Sequence, residues 1–148
     1  MDSLAEAVRT SGLDERKRSW LSQLLVVRSC AYLEQTALTV VRHYINAKSG
    51  GTVKTFAGSW LHKGNIPSTD NLKQLVGRFD QAWALELDVV LKSNNEKLHL
   101  DLAFLIACRH QISHDQSVSV PPIRALELKA STVLIANWLI VRFNPAPP

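Results

Sequence analysis

WLSQLLVVRSCAYLEQTALTVVRHYI, residues 20–45, contains neither glycine nor proline. Within it Trp20, Leu24, Val27, Ala31, Glu34, Leu38, Val41 and Ile45 recur at alternating spacings of four and three. That spacing puts them on one face of an α-helix. All but Glu34 are apolar, so the stripe reads as a core face interrupted by one charge. The helix is expected to begin at Asp14, a good N-cap, although Lys17 stands where a capping box would have Glu. It should run to about Lys48, where Gly50-Gly51 would end it in a left-handed cap.

Outward from this element the pattern stays helical. Residues 52–63 (TVKTFAGSWLHK) read as a short, weak helix, and Gly64-Asn65-Ile66-Pro67 as a turn. Ser68 or Thr69 can cap a helix over about 70–92, with Leu72, Val76, Phe79, Trp83, Leu87 and Val90 as its stripe. Ser93-Asn94-Asn95 breaks the chain and caps it again. The next helix, about 96–115, carries Leu98, Leu102, Leu105, Arg109 and Ile112. Pro121-Pro122 suits a helix start. The helix it opens runs to about Phe143 through Ile123, Leu126, Ala130, Val133, Asn137 and Ile140. A tail ends in Asn144-Pro145-Ala146-Pro147-Pro148. Strand-like alternation is confined to the weak Ser117-Val118-Ser119-Val120. The expectation is all-α: an antiparallel up-and-down helical bundle of four main helices plus one short helix. It should form a single domain over residues 1–148 with its core at about 14–143.

Composition agrees. A chain of 148 residues fits one domain, and 46% hydrophobic with 20% charged residues argues against wholesale disorder. The net charge of +4, from 17 basic and 13 acidic residues, is a mild bias that suits a polyanion without demanding one. Two cysteines, Cys30 and Cys108, cannot build a disulfide framework or a four-cysteine zinc site; they read as buried thiols in a reducing cytoplasm. Residues 1–18 lack the apolar run of an export signal. The longest apolar stretches, such as Leu24 to Val27 and Trp138 to Val141, are short. No membrane contact is expected, and the expected location is cytoplasmic.

Function is sought where the apolar pattern fails. Glu34 and Arg109 both interrupt inward stripes, and burying either charge alone would be costly. They could neutralise one another across the bundle, or drift to the surface. Around Arg109 lies the densest polar cluster of any expected helix, Cys108-Arg109-His110-Gln111-Ile112-Ser113-His114-Asp115. An arginine and a histidine separated by four residues is a weak signal by itself. Here the pair closes a strongly apolar helix, which raises its value.

Arg109-His110-Gln111-Ile112-Ser113-His114 resembles the motif of the HEPN superfamily, in which an arginine is followed by a histidine after four to six residues. The RiboL-PSP-HEPN group is the most similar branch. The order of elements is similar too: a long first helix with Tyr32-Leu33-Glu34, a turn with Gly64-Asn65, the motif helix and one closing helix. Two positions depart from the family pattern. His110 replaces the usual polar residue such as Asn, and Asp115 replaces the usual Gly. The resemblance implies a metal-independent endoribonuclease of a toxin or anti-phage defence system, needing no cofactor and acting as a homodimer. The implied partners are RNA and an antitoxin or other defence component. The implied reaction is attack of a 2′-hydroxyl on the adjacent phosphorus, leaving a cyclic phosphate.

That chemistry needs a group titrating near neutrality, which imidazole supplies, and a permanent planar cation for the phosphate, which guanidinium supplies. His114 is assigned to proton transfer and Arg109 to the phosphate. His110 would be a second donor or acceptor, with Glu34 and Ser113 in support; the substrate-binding residues stay unknown. Arg109 and His114 are about 140° apart on a regular helix, whereas His110 and His114 share a face. The helix must distort near Ser113, or the arginine must swing round, or a two-fold dimer must join two motifs; the dimer is the favoured expectation.

Several blander readings compete. His110 and His114 could ligate zinc, but the chain offers few further ligands, so no metal is expected. They could simply favour the negative end of the helix dipole. His43, His62 and His99 read as surface or capping residues. Lys54, Lys63, Lys73 and Arg78 could line an RNA path but suit a solvated face better. Trp60, Trp83 and Trp138 at helical spacing suit core rather than base stacking, and Trp20 reads as core. The alternative function is a non-catalytic helical dimerisation, interaction or RNA-binding module.

Overall fold

The computed structural model describes residues 1–9, 14–61, 68–114 and 118–144. Over these, the long glycine-free stretches form helices and no strand occurs: α1 (Asp2–Arg9), α2 (Glu15–Lys48), α3 (Gly51–Trp60), α4 (Thr69–Gly77), α5 (Gln81–Ser113) and α6 (Pro122–Arg142). The all-α helical bundle expected from periodicity is the fold. The turn at Gly64-Asn65, His62, Lys63 and Asp115 lie outside the described residues.

Local signals act much as their chemistry requires. The Ser68 hydroxyl accepts from the Asn71 N–H at 3.0 Å and caps α4. The left-handed cap expected after α2 is shifted: Ser49 leaves the helix extended, and the left-handed residue is Gly51, which opens α3. The single helix expected over 70–92 is two. Asp80 caps α5 by accepting from the Ala82 N–H at 2.7 Å, and α4 folds back so closely that a Cβ on Gly77 would lie 3.3 Å from that of Ala84. The expected break at Ser93-Asn94-Asn95 is present as three consecutive left-handed residues, Asn94, Asn95 and Glu96. Two asparagines tolerate that conformation better than most residues. The break does not reverse the chain. The start of α5 meets the end of α2, where the Trp83 ring lies 5.9 Å from Tyr44, and its far end reaches Cys30 of α2 through the field of Arg109. Both halves of α5 therefore run antiparallel to α2.

α2 and α6 share the most extensive helix–helix contact. They run the same way: the Gln23 amide donates to the Val118 carbonyl at 2.7 Å beside the start of α6, and Tyr44 meets Phe143 at 5.7 Å beside its end. Their buried faces are rich in small residues. α2 buries Ser22, Ser29, Cys30 and Ala37 besides Leu25, Val26, Leu33, Val41 and Ile45. α6 buries Ala125, Ser131, Thr132 and Ala136 besides Leu128, Ile135 and Leu139. Two of the hydroxyls are satisfied by their own helices, Ser22 on the Arg18 carbonyl and Thr132 on the Leu128 carbonyl, so burying them is cheap. Faces of this kind let helix axes approach closely.

The expected stripes on these two helices are therefore corrected. On α2, Trp20 is 59% exposed rather than core, and Leu24 and Ala31 are also exposed. On α6, Ile123, Ala130, Asn137 and Ile140 face outward. The core also reaches beyond the expected start at residue 14. α1 buries Ala5 and Val8, and Asp2 pairs with Lys129 of α6 at 2.6 Å. An aromatic cluster of Tyr44, Phe79, Trp83 and Phe143 closes the other end with edge-to-face contacts. α2 also contains an 18-residue window of mean hydropathy 1.3, so by length and composition it is apolar enough to cross a membrane. Its inward face is packed in this bundle.

Candidate functional site

The second half of α5 carries the motif. From Lys97 the helix buries Asp101, Leu102, Leu105 and Cys108, and Arg109 follows at the edge of that face, half-buried. The helix stays regular through Ser113, whose hydroxyl donates to the Arg109 carbonyl at 2.8 Å. His114 is the C-cap, with φ −100° and ψ 21°; its N–H donates to the His110 and Gln111 carbonyls at 3.2 and 3.1 Å. The distortion considered near Ser113 is thus a helix end instead.

The two imidazoles come together as their spacing requires. The His110 and His114 ring centroids are 4.4 Å apart with 62° between planes, and both residues are exposed. Arg109 turns from them toward α2. Burial pushes the Cys30 thiol above its ordinary value; the Arg109 cation opposes that shift and the Glu34 carboxylate adds to it. Both charges therefore lie around Cys30. They do not neutralise each other by contact: neither the Arg109 guanidinium nor the Glu34 carboxylate makes an ion pair or hydrogen bond among the described residues. Arg109 is a half-buried cation without an anion, one residue from a solvent-facing pair of imidazoles. Such a group is suited to receive an anion from outside.

The other candidates disperse. Lys73 and Arg78 join Lys92 around an open groove of about 570 Å³ between α4 and α5, but Lys73 and Lys92 both close on Asp88, at 3.0 and 2.7 Å. Lys54 and His43 are exposed. His99 is half-buried, and its Nδ1 is enclosed without a hydrogen-bond partner. Trp83 and Trp138 are half-buried beneath Arg142, 5.6 and 5.7 Å from their ring centroids, while exposed Trp20 lies under Arg16 at 5.1 Å. Among the described residues no three His, Cys, Asp or Glu side chains form a set that could hold a metal.

Sequence reasoning missed Asp101, which is only 3% exposed. It accepts from Ser131 Oγ at 2.5 Å and from Lys97 Nζ at 2.9 Å, and pairs with Arg124 at 2.7 Å. Burial pushes its carboxyl up, and those three donors outweigh burial and hold it below 3.8. The signal was present: Asp101 shares a helix face with Leu98, Leu102 and Leu105 and follows Lys97 by four. Comparison of the chain with family models, with curated proteins and with solved structures gave no match.

Proposed function

We propose that the chain is a metal-independent endoribonuclease of a toxin or anti-phage defence system, acting as a homodimer. One observation carries the reading: the end of a buried helix offers an unpartnered guanidinium and two adjoining exposed imidazoles. The sequence resemblance of that segment to the HEPN motif supports it. Arg109 would hold the scissile phosphate and offset charge growing on its oxygens. His114 would take the 2′-hydroxyl proton as that oxygen bonds to phosphorus, and His110 would supply a proton to the departing 5′-oxygen. The products are a 2′,3′-cyclic phosphate and a 5′-hydroxyl. Ser113 holds the last turn through the Arg109 carbonyl, and Glu34 adds a negative field near the cation.

The test is incubation of purified protein with total RNA in EDTA, followed by identification of the product ends. Cyclic or 3′-phosphate ends are expected, and folded His114→Ala protein should leave the RNA intact. Ends bearing a 3′-hydroxyl, or full cleavage by folded His114→Ala, would refute the mechanism. A second reading, a non-catalytic interaction or RNA-binding module, is favoured by the large apolar side chains left exposed on several helices. Its signature is intact RNA with salt-sensitive affinity, or a defined assembly with no RNA affinity.

A further inference from the structure

The outer face of α6 carries Ile123, Glu127, Ala130, Leu134, Asn137 and Val141, all exposed. Ile123, Leu134 and Val141 are 73%, 59% and 75% exposed. At 100° per residue the six positions fall in one narrow stripe, opposite the buried Leu128, Thr132 and Leu139. A soluble helix normally presents polar residues there.

We infer that this stripe is the contact surface for a second copy of the chain, the two α6 helices packing antiparallel about a two-fold axis near Thr132. The spacing of the six positions, 4-3-4-3-4, reads the same from either end. A two-fold interface requires this reciprocity, since residue i must meet j wherever j meets i. About that axis Ile123 meets Val141, Glu127 meets Asn137, and Ala130 meets Leu134. Each pairing is chemically matched: aliphatic on aliphatic, an amide donating to a carboxylate, and the smallest side chain receiving the largest. A parallel pairing would set Glu127 against Glu127 and Leu134 against Leu134. The stripe is about 27 Å long at 1.5 Å per residue. Two helices meeting along it bury on the order of 1,000 Å² in total, the lower end of a specific interface, which suits reversible pairing. The start of α6 lies beside Cys108 of α5, so the pairing holds the two motifs near opposite ends of the seam. It needs nothing from the nuclease reading.

The full chain is examined by sedimentation across a concentration series up to about 100 μM, a range chosen for a seam of this size. A species of twice 16.5 kDa is expected, shifting to monomer in Leu134→Glu and in Val141→Lys, both with wild-type helical circular dichroism. Ala130→Cys chains mixed with Leu134→Cys chains should crosslink under mild oxidation several-fold more than either alone. A monomer throughout, a dimer indifferent to both substitutions, or crosslinking strongest between two Ala130→Cys chains would overturn the proposal. Because the readout is mass and crosslinking, its failure is separate from any failure of RNA cleavage.

Discussion

Asp101 and Arg109 lie two turns apart on one helix, both interrupting an apolar surface, and their surroundings could hardly differ more. The carboxylate is nearly sealed from water and closed on by Ser131, Lys97 and Arg124. The guanidinium is half-buried and has no anion. A buried charge with its bonding complete welds α5 to α6. A charge left open is poorly explained by stability and well explained by a ligand. The break in apolar periodicity is the same in both cases. What separates structural from functional is the state of the partners.

The largest expected effect is on the closed side. Asp101→Ala should lower stability by about 3 kcal/mol, because Arg124 and Lys97 lose their anion while both still reach water; urea denaturation at pH 7 measures it. The same carboxyl has a lowered value in the folded state. Its stabilisation is therefore complete above the unfolded carboxyl value, near 4, and is lost as pH falls through the folded value. The urea midpoint of the wild type should drop more steeply below pH 4 than that of Asp101→Asn. On the open side, Arg109→Ala should reduce RNA cleavage by about 100-fold or more while changing stability by less than about 1 kcal/mol. A large stability loss there would erase the contrast. Ser131→Ala should cost about 1 kcal/mol, the worth of one hydrogen bond to a charge partly replaced by its remaining partners. Glu34→Gln should be smallest, within about 0.5 kcal/mol, since its carboxylate bonds to nothing; a greater loss in thermal melting would reveal a structural role.

Much of the architecture was legible residue by residue. Ser68 as a cap, the break at Ser93-Asn94-Asn95 and the start of α6 at Pro122 follow from local backbone chemistry, which neighbours in sequence largely decide. The meeting of His110 and His114 follows from helical spacing alone. The faces of α2 and α6 were not legible. Both helices carry apolar side chains nearly all round, so a 4-3-4-3 stripe of large residues such as Ile123, Ala130 and Leu134 competes with a parallel row of small ones. Ala125, Ser131, Thr132 and Ala136 won, because two closely packed helices need small side chains between them. The split of 70–92 was missed because Asp80 caps a helix only when Gly77 lets the chain fold back at Ala84. α1 was missed because eight residues with two buried side chains signal little until Asp2 finds Lys129.

What residue order alone determined is therefore helix content, most boundaries and the histidine pair, because each depends on interactions within a few residues. Tertiary packing decided which face of each helix is inside, that α2 and α6 run parallel, that Asp101 is closed and Arg109 is open. Those outcomes depend on shape and charge brought together from distant segments, and no local pattern encodes the distance between them.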